Sequence, residues 1–110
     1  MAATMTYHSP DPILVPLVCP PRLTTEHRVD FRRDALHALD AALAVGARAV
    51  TLDLGAVVEI DASGLGVLIL LQKRARELGM RTRLVQVPGV VEQLLKETQM
   101  APLFDIVRTG

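Results

Sequence analysis

The chain has 110 residues, half of them hydrophobic and 22% charged, which is enough apolar surface to build one compact domain and excludes a disordered chain. Twelve Lys and Arg balance twelve Asp and Glu, so no net field steers the protein toward nucleic-acid phosphates or anionic membranes, and with 3% aromatic residues and no Trp it has few rings on which bases could stack. Cys19 is the only cysteine, which excludes an internal disulfide and a paired-cysteine metal site; no charged start followed by an apolar run opens the chain, and no apolar stretch, Val67 to Leu71 included, approaches a membrane span, so a cytoplasmic protein without direct membrane insertion is expected.

A proline-rich segment of about residues 1–25 comes first. Pro10, Pro12, Pro16, Pro20 and Pro21 remove backbone donors and allow only short, edge-like strands; Ile13 to Val18 is one, and Cys19 to Thr25 reads as a loop. From Phe31 onward, the spacing of Leu36, Leu39, Ala42 and Leu43 among polar residues predicts an amphipathic helix closed by Gly46. The β-branched and apolar run Ala49 to Leu54 predicts a central strand covered on both faces. A second apolar stretch, Val57, Val58 and Ile60, leads into a helix expected from about Gly64 to Leu78. Asp61 and Ser63 are its cap-type residues, Gly79 its stop, and Lys73, Arg74 and Arg76 load its C-terminal half with positive charge. Arg83 to Val87 reads as a strand, Pro88 opens a helix with Val90, Val91, Leu94 and Leu95 on one face, and Phe104 to Val107 reads as a last short strand. The alternation predicts an α/β fold with a small, largely parallel β-sheet and helices packed against it, in one domain over residues 1–110.

In the helix after Ser63, Leu68, Leu71, Ala75 and Leu78 form the stripe that packs on the sheet, while Val67 and Leu70 run on a neighbouring stripe that a single flat contact does not cover. Ser63 sits where helix N-terminal amides tolerate negative charge. A phosphate there would add about −1.5 to −2 units of charge, two residues after Asp61 and beside Leu65 and Val67. A partner packed on that surface would then meet like-charge repulsion and a desolvation cost. Gly64 and Gly66 would let another backbone approach closely. The same residues also read as an ordinary helix cap in a strand-to-helix turn.

The run Val50-Thr51-Leu52-Asp53-Leu54, followed by Ile60-Asp61-Ala62-Ser63-Gly64-Leu65-Gly66-Val67-Leu68, closely resembles the signature of STAS domains, named for sulfate transporters and anti-sigma factor antagonists. The resemblance continues through Arg83-Leu84-Val85 and the Pro88 to Leu95 helix to Leu103-Phe104-Asp105, roughly the C-terminal two-thirds of the chain. It implies a STAS-like fold, a small mixed, largely parallel sheet with helices mainly on one face, and an anti-sigma factor antagonist: a phosphorylation-controlled protein-binding switch, not an enzyme and without a cofactor. By the same resemblance Ser63 is the phosphoacceptor, the partner is an anti-sigma factor with serine kinase activity, and a serine phosphatase acts on phospho-Ser63. The unphosphorylated form would bind the anti-sigma factor and release the sigma factor. Asp61 would orient or flank Ser63, and Ala62, Gly64, Leu65, Gly66, Val67 and Leu70 would belong to the docking surface. Family members usually carry a Gly-x-Leu-Asp stretch before the first helix; its nearest match is His27-Arg28-Val29-Asp30, without the Gly, which adds Asp30 to the expected partner surface.

Other function classes stand beside this one. Similar standalone STAS proteins serve as cytoplasmic subunits of membrane-lipid ABC transporters or as pieces of stress-signalling assemblies. A serine hydrolase is disfavoured because Asp61-Ala62-Ser63-Gly64 lacks the leading Gly of Gly-x-Ser-x-Gly. Gly64-x-Gly66 is too short for a dinucleotide loop. His27, Asp30, Asp34 and His37 read better as a solvated helix face than as metal ligands, and Arg74, Arg76, Arg81 and Arg83 complement a helix C-terminus more simply than a nucleic acid.

Overall fold

The computed structural model describes residues 14–107. In chain order these form β1 (Leu14–Val18), β2 (Arg22–Leu23), α1 (Arg28–Ala44), β3 (Ala49–Asp53), β4 (Glu59–Ile60), α2 (Ala62–Glu77), β5 (Arg81–Val85), α3 (Gly89–Glu97) and β6 (Asp105–Ile106), with short 3-10 turns at Thr25–His27 and Ala101–Leu103. Pro10, Pro12 and Ile13, which entered the sequence reading, lie outside the described residues.

The strands β1, β3, β5 and β6 lie side by side in chain order, all parallel, and β2 pairs with β4 in a separate parallel ladder. Right-handed crossovers that always step in the same direction put every connecting helix on the same side of a sheet. The three α-helices therefore share one face, as the family resemblance implies. Leu17, Leu52 and Leu84 align across the sheet and point into the core, whereas Pro16, Thr51 and Arg83 form the next row and are exposed or half-buried. This corrects one expectation. β3 is central, but it is covered on one face only, because Thr51 and Asp53 supply the polar half of an alternation that the apolar residues around them obscure.

Helix boundaries follow from local chemistry. Gly46 and Gly79 take φ of 76° and 78°, and the amides beyond them, of Ala47 and Met80, reach back to the carbonyls of Ala42 and Ala75 at 3.0 and 2.8 Å. Each helix stops at a left-handed glycine. α1 buries Phe31, Ala35, Leu39 and Ala42, and α2 buries Leu68, Leu71 and Ala75 as its periodicity predicts, together with Leu65 and with Val67, which lies beside α1. Leu43, expected on the apolar face of α1, is exposed.

β2 falls inside the stretch that reads as a loop. Two residues leave no periodicity to detect, and their place is set by backbone bonds from distant chain: Val58 N–H donates to the Pro21 carbonyl at 2.8 Å and Asp61 N–H to the Leu23 carbonyl at 3.1 Å. Pro16 sits in β1 at the sheet edge, where a missing donor is tolerated. No helix among the described residues is long and apolar enough to cross a membrane.

Candidate functional site

Asp61 leaves β4 in an extended conformation and caps α2, with Oδ1 accepting the Gly64 amide at 3.0 Å. Its second oxygen, Oδ2, accepts the Thr25 amide at 3.0 Å and the Thr25 hydroxyl at 3.2 Å. One carboxylate thus ties the start of α2 to the turn between β2 and α1. These bonds, the Gly64 amide first and the Thr25 amide next, hold the Asp61 carboxyl below the usual carboxylate range. At neutral pH it is an ion that only accepts.

That charge state fixes the direction of the next bond. The Thr25 and Ser63 hydroxyl oxygens are 2.9 Å apart. Thr25 has one hydroxyl proton and gives it to Asp61, so its oxygen accepts and Ser63 donates. The half-buried Ser63 hydroxyl, in the first turn of α2, is held with its proton turned inward and its oxygen lone pairs available.

Close approach of α2 to β2 makes this possible. A Cβ on Gly64 would overlap the Leu23 carbonyl oxygen and crowd Leu23 Cβ. Gly64 therefore makes room for the chain's own backbone. At Gly66 a Cβ would meet nothing within 4 Å, and that position is exposed.

Two depressions of unlike charge flank the cluster. One, of about 220 Å³, holds Asp61 with Glu26, Glu59, Arg22 and His27, and in it Arg22 pairs with Glu59 at 3.6 Å. The other is a groove of about 590 Å³ in which Arg28, Val29 and Arg32 of α1 face Ser63, Gly66, Val67 and Leu70 of α2. No carboxylate lines it. Val29 is 68% exposed at its rim, and neither Arg28 nor Arg32 makes an ion pair among the described residues.

Of the residues expected at a partner surface, Ser63, Gly66, Val67 and Leu70 line the groove and Ala62 is exposed beside Ser63, while Gly64 and Leu65 are buried. Asp30 is not brought to Ser63. α1 begins at Arg28, so His27 to Asp30 is the start of the helix and not a stretch before it, and Asp30 pairs with Arg33 at 3.3 Å. Thr25, Arg28, Val29 and Arg32 reach the site instead. The i, i+4 spacing of Arg28 and Arg32 was the available signal for the arginines; none pointed to Thr25.

Elsewhere several charged residues pair locally. Arg33 also pairs with Asp34, Arg74 with Glu77, and Arg81 and Arg83 share Asp105. Among the described residues no three of His, Cys, Asp and Glu converge to hold a metal ion.

A family model described as STAS domain matches residues 13–109. Among solved structures, a Thermotoga maritima protein assigned as an anti-sigma factor antagonist is 28% identical with a TM-score of 0.71, over 87% of this chain and 80% of that one. The anti-sigma factor antagonist SpoIIAA superposes with TM-scores of 0.68 in its unphosphorylated form (13% identity, 92% and 85% of the two chains) and 0.62 in the phosphorylated Bacillus form (12% identity, 92% and 88%). A sulfate transporter family protein from Wolinella succinogenes superposes with a TM-score of 0.67 at 16% identity, over 94% and 83%. A search of curated protein sequences returns no match.

Proposed function

The chain belongs to the STAS domain family, and from that premise we propose that it is a cytoplasmic anti-sigma factor antagonist whose binding of an anti-sigma factor is switched off by phosphorylation of Ser63. The observation that carries this reading is the Ser63–Thr25–Asp61 chain of hydrogen bonds at the edge of an open groove. A serine serving only as a cap would turn its oxygen to the helix amides, but here Asp61 does that work and the Ser63 oxygen stays available. In the transfer, Ser63 Oγ forms a bond to the γ-phosphorus of a nucleoside triphosphate, the bond to the diphosphate leaving group breaks, and the hydroxyl proton is lost to a base.

The unphosphorylated form presents Ala62, Gly66, Leu70 and Val29 as a mixed surface for the partner's kinase-like face. Phosphorylation adds charge at its centre, and affinity falls without unfolding. A serine phosphatase reverses the modification. That an antagonist of like fold is known in both phosphorylated and unphosphorylated forms supports the reading. A second reading is a cytoplasmic subunit of a membrane-lipid ABC transporter or of a stress-signalling assembly, and recovery of a transporter ATPase as the partner would favour it.

Phosphosite mapping tests the proposal. After incubation with soluble extract of the source organism and ATP, the parent chain is expected to carry phosphate on Ser63 and Ser63→Ala to carry none. Equal phosphorylation of both chains would place the acceptor elsewhere, Thr25 included.

A further inference from the structure

Ser63 stands between a depression that contains three carboxylates and a groove that contains none and is rimmed by two arginines. A phosphate on Ser63 is a dianion or nearly so at neutral pH, and it cannot settle on both sides equally. On the acidic side it would meet Asp61, whose carboxylate is already committed to the Gly64 and Thr25 amides, together with Glu26 and Glu59. On the groove side it meets Arg28 and Arg32, one helical turn apart on the same face of α1, with no carboxylate within ion-pair distance among the described residues. Guanidinium groups match phosphate geometry and bind it through paired, charge-assisted hydrogen bonds.

We propose that Arg28 and Arg32 form an intramolecular clamp that draws the Ser63 phosphate into the α1–α2 groove. This rests on the reading of Ser63 as the phosphoacceptor and specifies how the modification acts. The phosphate does more than repel. It fills the groove that the partner would use, takes up its two free cations, and ties α1 to the first turn of α2. Aspartate carries one charge on a shorter side chain and reproduces the clamp incompletely, so Ser63→Asp imitates phosphorylation only in part.

The test uses the full chain with phosphoserine incorporated at position 63 during translation, so no kinase is needed. The second ionisation of the phosphate is followed by 31P NMR in the parent, in Arg28→Gln/Arg32→Gln and in Arg48→Gln, a control at an exposed position outside the groove. The clamp predicts a midpoint about one pH unit higher in the double variant than in the parent or the control, because removing the arginines removes what favours the dianion. A midpoint unchanged in the double variant, with native thermal unfolding, would overturn the clamp. Since the phosphate is installed directly, that result leaves the phosphoacceptor assignment standing, whereas an absence of Ser63 phosphorylation in extract would refute the assignment and not the geometry.

Discussion

Thr25 and Ser63, 38 residues apart in the chain, bring their hydroxyl oxygens to 2.9 Å, and the proton between them belongs to Ser63 because Thr25 spends its own on Asp61. Thr25 is thus the positioning residue of the site. It is exposed and does not belong to the hydrophobic core, so its loss acts on orientation more than on folding.

Thr25→Val keeps the shape and removes the hydroxyl. It is expected to lower stability by about 0.5–1.5 kcal/mol, the usual net worth of a hydrogen bond, and to slow phosphorylation of Ser63 in extract, with Thr25→Ser restoring both. Denaturant unfolding and the rate of phosphate incorporation check the two effects separately. An unchanged rate in Thr25→Val would remove the positioning role.

The two glycines of the site should respond oppositely to alanine. Gly64→Ala drives a Cβ into the Leu23 backbone, which cannot rotate away, and is expected to cost at least the ~1–3 kcal/mol typical of overpacking. Gly66→Ala meets open space within a helix and should stabilise by about 0.5–1 kcal/mol. Thermal unfolding of the pair decides the matter, and a tolerant Gly64 would show that α2 is free to shift from β2.

The lowered pKa of Asp61 makes a signed prediction. Its folded-state value lies below the ordinary 3.8, so the stability it contributes is present above that value and is lost as pH falls through the folded pKa. Parent protein should lose stability more steeply below about pH 4 than Asp61→Asn, which has no proton to take up at that position. Parallel acid limbs in the two proteins would show that the carboxylate is not held as its hydrogen bonds indicate.

Cys19 gives the alkaline counterpart. Burial, with the Asp53 carboxylate adding to it, pushes the thiol from 9.0 up to about 12. Its contribution is complete below the ordinary thiol value and is lost as pH rises from about 9 toward 12. At pH 8 the folded chain should react with a thiol reagent far more slowly than the unfolded chain, since the thiol is buried and less ionised. Comparable rates would mean that β1 opens readily.

The helices were legible because their information is local: Gly46 and Gly79 stop α1 and α2, and Leu68, Leu71 and Ala75 repeat at helical spacing. The parallel order followed from the alternation of elements. Asp61 was legible as a cap, and Ser63 was singled out by its place after Asp61 and by the family resemblance. Thr25 was not, because it reaches Ser63 through β2, a strand of two residues held by backbone bonds to residues 58–61. Val67 seemed to lie on an uncovered stripe only while α1 was not seen packing beside α2. The place of Asp30 in the first turn of α1 was hidden for a similar reason, since the helix starts three residues before its apolar spacing becomes visible at Phe31.

The switch proposed for Ser63 requires that one phosphate there decide partner binding. The direct measurement is the affinity of the protein retained from extract by the unphosphorylated chain, determined by calorimetry against the parent and against the same chain with phosphoserine at position 63. The expected result is a soluble, kinase-like partner that binds the parent at least tenfold more tightly than the phosphorylated chain, both chains having native unfolding transitions. Equal affinity for the two chains, or a transporter ATPase as the partner, would contradict it.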